Sequence, residues 1–246
     1  DDNGLYVGTA DNEYFALIKA KSTDITSCFV NANCKIICDE AFYGVKSLES
    51  VIIADGVRII GNESFRECRA LTSISIPNSV IEIGYRAFSY CYGLTDLIIP
   101  DSVKNIGFGA FMYCTNLRSI KLPFVGASLS DSKNTHFGYI FGAKTCSENG
   151  ERMPTYLTSV IITGGEIIGD YAFYQCRRIS SVNLPCSINV IGKKAFSGCT
   201  SLKMLTYDGT IEQWNNVSKG TYWNYNVSGD FVVKCIDGNF IAIQDN

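Results

Sequence analysis

Residues 71–93 read LTSISIPNSVIEIGYRAFSYCYG, and residues 94–116 read LTDLIIPDSVKNIGFGAFMYCTN. Both stretches are 23 residues long and share a leading Leu, an Ile-Pro pair, an Ile-Gly pair, an Ala-Phe pair and a Cys at matching positions. Repetition with a period of about 20–50 residues is typical of solenoids, in which each unit packs only on its neighbours. The sequence therefore predicts a repeat fold.

The phenylalanine of the Ala-Phe pair marks the period along the chain, and we call these residues the ruler phenylalanines. Consecutive members are 23 residues apart, except for one interval of 62 residues. We expect about 7–8 coils of about 23 residues over residues 25–207, with an insertion at residues 124–156. The ruler phenylalanines are Phe42, Phe65, Phe88, Phe111, Phe173 and Phe196.

The first half of each unit has the pattern of a short strand. Ile74 and Ile76 alternate with serines, so one face of the segment is apolar and the other is polar. Pro77 ends the strand, because proline cannot donate a hydrogen bond to a neighbouring strand.

The second half contains another short extended piece that ends at Gly84. This recurring glycine predicts either a bend with positive φ or a close approach of neighbouring coils. The segment YRAFSYC places Ala87, Phe88 and Cys91 on one side, which predicts a single inward-facing turn of helix. We therefore expect a mostly β (α+β) repeat solenoid with a strand and a short helical turn in each coil.

The eleven cysteines do not have the pattern of a disulfide scaffold. Five of them follow a ruler phenylalanine by three residues, so they would form a line of buried thiols rather than converge on a metal ion. Cys28, Cys34 and Cys38 lie in the first coil, where one disulfide is the alternative to free thiols. The five aligned cysteines are Cys68, Cys91, Cys114, Cys176 and Cys199.

The segments that flank the repeat are expected to cap it within one continuous domain, because the end coils of a solenoid need cover. Residues 1–24 predict a β-hairpin cap with a turn near residues 10–12. Residues 208–246 predict a C-terminal cap, with a short helix at 212–217 and extended pieces at 231–238 and 240–243. Trp214 and Trp223 either cover the last coil or form an exposed aromatic platform for sugars.

The insertion at residues 124–156 contains the segment HFGYIFGA, whose aromatic residues predict a packed rather than a mobile loop. Insertions in solenoids often leave from the binding face. We therefore take His136, Phe137, Tyr139 and Phe141 as candidate binding residues. His136 is the only histidine, and one histidine alone forms neither a catalytic triad nor a metal site.

Composition and motifs disfavour several classes of function. The net charge is −3 and the basic pairs are isolated, which disfavours nucleic acid as a partner. No apolar run reaches the roughly 18 residues of a membrane span, so we expect no membrane insertion. The sequence has no nucleotide-binding, zinc-hydrolase or serine-hydrolase motif, and we expect no enzymatic activity, no cofactor and no metal.

The unit LxxLxIPxxVxxIGxxAFxxCxx resembles the BspA-type leucine-rich repeat, and the GTIEQW segment after the array resembles the tail that often closes arrays of that family. The resemblance covers about residues 25–207. It implies a curved right-handed solenoid of a kind found mainly in bacterial surface or secreted proteins and used for adhesion. It supplies no catalytic residues.

The best candidate for a binding surface is the outward-facing row of the first strand of each coil, which we call the strand row. Its residues are small and weakly charged, and include three isoleucines, which suits a flat protein partner; strand propensity alone is the other explanation for those isoleucines. The strand row consists of Ser50, Ile52, Ser73, Ser75, Asp96, Ile98, Ser119, Lys121, Ser159, Ile161, Ser181 and Asn183.

Together these observations predict a monomeric, extracellular or cell-surface module that binds a protein or glycan on a host or neighbouring cell. One alternative is a structural spacer within a larger surface protein. The other is a hydrolase whose site lies in the insertion at residues 124–156.

Overall fold

The computed structural model describes residues 3–240 and confirms the repeat solenoid, with about eight turns and few helices. The chain forms two compact units. The first comprises Asp1–Leu117 with Ile140–Gly142, and the second comprises Arg118–Tyr139 with Ala143–Asn246. The expectation of one continuous domain stays a prediction.

The first unit begins with the expected β-hairpin, which turns at residues 10–11. The strands are β1 (Gly4–Thr9), β2 (Asn12–Ala20), β3 (Ser27–Phe29), β4 (Ile36–Ile37), β5 (Ser50–Ile52), β6 (Ile59–Ile60), β7 (Ser73–Ser75), β8 (Glu82–Ile83), β9 (Asp96–Ile98) and β10 (Asn105–Ile106). The hairpin strands β1 and β2 are antiparallel, and a parallel row continues from the hairpin in the order β2-β4-β6-β8-β10. A second parallel row has the order β3-β5-β7.

The second unit repeats this arrangement with longer first strands. The strands are β11 (Ser119–Leu122), β12 (Ser159–Ile162), β13 (Ile167–Ile168), β14 (Ser181–Leu184), β15 (Val190–Ile191), β16 (Met204–Tyr207), β17 (Ser218–Lys219), β18 (Val232–Cys235) and β19 (Gly238–Phe240). The parallel row β11-β12-β14-β16-β18 is closed by the antiparallel strand β19, and the other row is β13-β15-β17.

Helices are few and short. The insertion contains 3-10 helices at Phe137–Phe141 and Cys146–Glu148, followed by α1 (Asn149–Arg152). The predicted C-terminal helix is α2 (Ile211–Asn216). It begins with a capping box, in which the Thr210 hydroxyl accepts from the backbone N–H of Gln213 while the Gln213 side chain accepts from the N–H of Thr210. The predicted strand at 231–238 contains β18, whereas residues 241–243 of the predicted 240–243 piece lie outside the described residues.

The ruler phenylalanines form the centre of each core. In the first unit, the rings of Phe42, Phe65, Phe88 and Phe111 are fully buried, and neighbouring centroids are 4.9, 5.1 and 5.6 Å apart with nearly parallel planes. Burying each ring contributes about 1.5–3 kcal/mol. The single file of aromatic rings that the 23-residue spacing predicts is therefore present.

The predicted helical turn at the ruler phenylalanine is wrong. Around Phe65, Glu63 and Glu67 have left-handed φ angles of 50° and 61°. The N–H groups of all three residues donate to the next coil, to the carbonyls of Tyr85, Ala87 and Ser89, each at 2.8 Å. A helix would direct these groups to carbonyls of its own chain segment. The left-handed φ recurs two residues before or after other ruler phenylalanines, at Glu40, Gly44, Arg86, Tyr90, Gly109, Tyr113, Tyr171, Gln175, Lys194 and Gly198.

The recurring glycine of the Ile-Gly pair reflects a close approach of coils. Gly84 is not among the glycines with positive φ. A Cβ placed there would lie 2.6 Å from the backbone nitrogen of Asn62 and 2.6 Å from the carbonyl carbon of Gly61. Of the two sequence interpretations, close packing of neighbouring coils is therefore confirmed at this position.

The aligned cysteines are buried thiols, as predicted. The thiols of Cys68, Cys91 and Cys114 donate to ruler-phenylalanine carbonyls 26 residues earlier, at 3.1–3.2 Å. Burial raises the pKa of Cys68 and of Cys114 to about 12. All eleven cysteines lie in the described part of the chain and carry reduced thiols, so no disulfide joins Cys28, Cys34 or Cys38.

The two tryptophans cover the last coil, and the exposed sugar platform is ruled out. Trp214 is 0% exposed and Trp223 is 5% exposed. The Trp223 ring lies edge-on to Phe196 at 6.2 Å and to Trp214 at 5.9 Å. Their aromatic faces therefore belong to the core of the second unit.

Candidate functional site

In the first unit, all members of the strand row point into solvent. Val51 and Leu97 are buried, and they alternate with Ile52 and Ile98, which are 58% and 63% exposed. Register aligns the members on β5 and β7, because Ser50 pairs with Ser73 and Ile52 pairs with Ser75. The first-unit members that are exposed are Ser50, Ile52, Ser73, Ser75, Asp96 and Ile98.

In the second unit, the strand row is less accessible. Its members are half-buried, and Ile161 is therefore not the third exposed isoleucine that the alternation predicts. The Asn183 side chain donates to the carboxylate of Asp208 at 3.4 Å, which places neighbouring polar groups beside the row. The second-unit members are Ser119, Lys121, Ser159, Ile161, Ser181 and Asn183.

The candidate residues of the insertion are mainly core residues. His136 is 5% exposed, with its Nε2 atom 3.0 Å from the carbonyl of Ala143, while Phe137 and Phe141 are 0% and 1% exposed. Only Tyr139 is half-buried. The expectation of a packed insertion is confirmed, and a partner would reach little of the other three side chains.

Phe137 serves as a ruler phenylalanine, which the sequence spacing did not reveal. Its N–H donates to the carbonyl of Ala172 at 2.7 Å, and its ring lies 4.9 Å from the ring of Phe173. These contacts match those of Phe65 in a regular coil. The available signal is the His136-Phe137 pair in place of Ala-Phe, although the insertion disrupts the 23-residue interval.

A cavity of about 220 Å³ lies between the loop after β11 and strand β13. Its walls include Phe124, Leu129 and Ile168, and Asp131 is the one ionisable residue in the lining. The backbone N–H of Lys133 and the side chain of Asn134 hold the pKa of Asp131 below its usual value, so the carboxyl group stays ionised. The cavity lining holds no second titratable group to exchange a proton with this carboxylate.

No group of three or more His, Cys, Asp or Glu side chains in residues 3–240 is arranged to hold a metal ion. In the same residues, no helix is long and apolar enough to cross a membrane.

The turn segments of the first unit carry a second exposed surface, which the sequence analysis missed. The Arg66 guanidinium carbon lies 5.3 Å from the ring centroid of Tyr43 and 5.8 Å from that of Tyr90. Tyr90 in turn lies 4.6 Å from Tyr113. Arg86 lies 4.9 Å from the ring of Tyr85. We call this the tyrosine–arginine surface, and it comprises Tyr43, Arg66, Arg69, Tyr85, Arg86, Tyr90, Tyr92, Phe108 and Tyr113.

Charge on the tyrosine–arginine surface is only partly neutralised. Arg66 pairs with Glu63 at 2.8 Å, and this hydrogen bond raises the pKa of Arg66. Arg69 pairs with Glu67 at 3.0 Å. Arg86 forms no ion pair within the described part of the chain, and its buried Nε atom has no hydrogen-bond partner.

The stacked parallel strands, the ruler phenylalanines and the outward strand row define a leucine-rich repeat solenoid. The model of the BspA type leucine rich repeat region matches residues 20–139 and 154–224 in six copies. The chain belongs to this family.

Two solved structures share the fold. A leucine-rich repeat protein from T. pallidum is 22% identical, with a TM-score of 0.50 and coverage of 92% of this chain and 89% of that chain. The pneumococcal vaccine antigen PcpA is 17% identical with a TM-score of 0.57, and this chain spans 46% of its length while 96% of this chain is covered. Comparison with functionally curated proteins found no match.

Proposed function

We propose that this chain is a non-enzymatic protein-interaction module, displayed at the cell surface or secreted, that binds a protein on a host or neighbouring cell. The observation that carries the proposal is the strand row of the first unit, where Ile52 and Ile98 are exposed among small polar side chains and Ile52 lies in register with Ser75 of the next strand. Exposed aliphatic groups among small polar groups suit a flat protein surface better than a polyanion.

The lack of assembled chemistry in the described residues supports binding rather than catalysis. The insertion buries His136 against a backbone carbonyl, and the cavity beside it offers a single carboxylate. Membership of the leucine-rich repeat family supports protein binding, and the BspA-type resemblance supports display outside the cell. One structure with this fold is named as a vaccine antigen.

A binding assay with a matched variant tests the proposal. Purified residues 1–246 would be titrated onto intact host cells and onto a panel of immobilised extracellular-matrix proteins, with Ile52→Ser/Ile98→Ser as the variant. Both substitutions lie at exposed positions, so thermal unfolding should be unchanged. We expect saturable binding to at least one protein, weakened at least tenfold in the double variant.

Two results would contradict the proposal. Absence of saturable binding to every cell type and protein would favour a spacer role instead. Recovery of the protein only from the cytosol, after protease treatment of intact producing cells leaves it uncleaved, would contradict surface display.

A further inference from the structure

Two tyrosines of the tyrosine–arginine surface occupy backbone positions where the fold does not require a side chain. Tyr90 and Tyr113 have φ angles of 62° and 63°, in a region that residues with a Cβ rarely adopt. Gly44 and Gly198 occupy the same position of other coils, two residues after a ruler phenylalanine. Since glycine meets the backbone requirement there, the tyrosine side chains contribute something beyond the fold, and strained positions of this kind often lie at functional sites.

The rings of Tyr85 and Tyr90 are each in contact with two neighbouring side chains. One face of Tyr85 lies against Arg86 at 4.9 Å, and Phe108 stacks with Tyr85 at 6.3 Å. Tyr90 lies between Arg66 and Tyr113. Sugars and nucleic-acid bases bind aromatic side chains by stacking on an open ring face. The arrangement therefore disfavours both as ligands of Tyr85 and Tyr90.

Ring edges, hydroxyl groups and guanidinium groups are what this surface offers to solvent. Tyr43, Tyr85 and Tyr113 are 43%, 39% and 39% exposed. Tyrosine and arginine are the side chains enriched at the energetic centres of protein interfaces. These groups donate hydrogen bonds, and their natural acceptors on a protein are carboxylate and carbonyl oxygens.

The unpaired charge of Arg86 selects the acidic class of protein partner. Arg66 and Arg69 pair with Glu63 and Glu67. Of the three arginines of this surface, Arg86 is the one that forms no ion pair within residues 3–240. We infer that the tyrosine–arginine surface binds an acidic segment of a partner protein, with Arg86 pairing with one of its carboxylates. This inference rests on the proposed function and names a surface and a class of partner for it.

The test uses a phage-displayed library of random 12-residue peptides as the probe, selected on immobilised residues 1–246. Recovered peptides would be synthesised with a fluorophore and titrated by anisotropy. The test variant is Tyr90→Gly/Tyr113→Gly/Arg86→Gln, which should fold because glycine occupies the same backbone position in two other coils. Circular dichroism melting checks that expectation, and the single variant Arg86→Gln provides a second, milder perturbation. The matched control is Ile52→Ser/Ile98→Ser on the strand row.

We expect peptides enriched in Asp and Glu, whose dissociation constants rise at least tenfold in the triple variant, rise several-fold in Arg86→Gln, and rise with added NaCl. The strand-row control should bind them like the parent protein. Peptides that lack acidic enrichment, that bind the triple variant equally well, or that are never recovered would overturn the inference. Peptides that lose affinity only in the strand-row control would overturn it too, yet they would leave the proposed function intact.

Discussion

Replacing Gly84 by alanine tests the close packing of coils against the alternative of a special backbone conformation. The new Cβ would lie 2.6 Å from the backbone nitrogen of Asn62 and 2.6 Å from the carbonyl carbon of Gly61. Ordinary contacts of a Cβ begin near 3.4 Å. The neighbouring coil would therefore have to move by about 0.8 Å. The N–H of Gly84 donates to the carbonyl of Ile60 in that coil at 2.8 Å, so this hydrogen bond opposes the movement. Overpacking of this kind costs about 1–3 kcal/mol, and we expect the upper part of that range because the clashing atoms are backbone.

Two other glycines separate the possible causes of a loss. Gly44 has a φ of 72° and open space around its Cβ position, so Gly44→Ala should cost about 1 kcal/mol from backbone strain alone. Gly229 has open space and no positive φ, so Gly229→Ala should leave stability unchanged or raise it slightly. The free energy of unfolding would be measured by urea denaturation monitored by circular dichroism. A Gly84→Ala loss no larger than that of Gly44→Ala would refute the close-approach argument.

Three further predictions concern a buried ring, the thiols and a left-handed turn residue. Phe88→Ala should lower the free energy of unfolding by about 3–5 kcal/mol, since it empties a fully buried position between Phe65 and Phe111; a loss under 1 kcal/mol in urea titration would contradict the stacked core. In native protein at pH 8, an aromatic disulfide reagent should react with the exposed Cys186 and not with Cys114, because burial raises the pKa of Cys114 to about 12. Thiols of the unfolded chain ionise near pH 9.0, so the free energy of unfolding should also fall as the pH rises from about 9 towards 12. Detection of the label on Cys114 by peptide mapping of the native protein would contradict the predicted protection of this thiol. Lys194, with a φ of 52°, should tolerate Lys194→Gly with a small gain in melting temperature, whereas Lys194→Val should lower it by the equivalent of about 1–2 kcal/mol; equal melting temperatures would argue against left-handed strain.

The regular coils were predictable from sequence because every coil places the same residue type at the same position. Ile83 and Phe88 can be assigned to the core from their spacing alone, and parallel packing of equivalent coils needs no information beyond the period. The alternation that predicts exposed Ile52 and Ile98 also follows directly from strand geometry.

The tyrosine–arginine surface was missed although its contacts follow the period. Tyr43 and Arg66, and likewise Tyr90 and Tyr113, lie 23 residues apart and so occupy the same position of adjacent coils. The direction in which these side chains point depends on whether the turn segments are helical, as predicted, or contain left-handed residues, as in the structure. The backbone bonds that decide between the two conformations run between coils, and local propensity contains no information about them.

By itself, the sequence determined the period, the family, the buried ring of each regular coil and the line of thiols, since these depend on repetition and on the apolar character of single residues. Three features were decided by the tertiary structure alone. The neighbouring coil leaves no space for a side chain at position 84, Phe137 completes the aromatic core of the second unit, and the turn segments form hydrogen bonds between coils. The physical reason is the same in each case: the deciding contact joins residues from different coils, and its geometry depends on how closely the backbones approach.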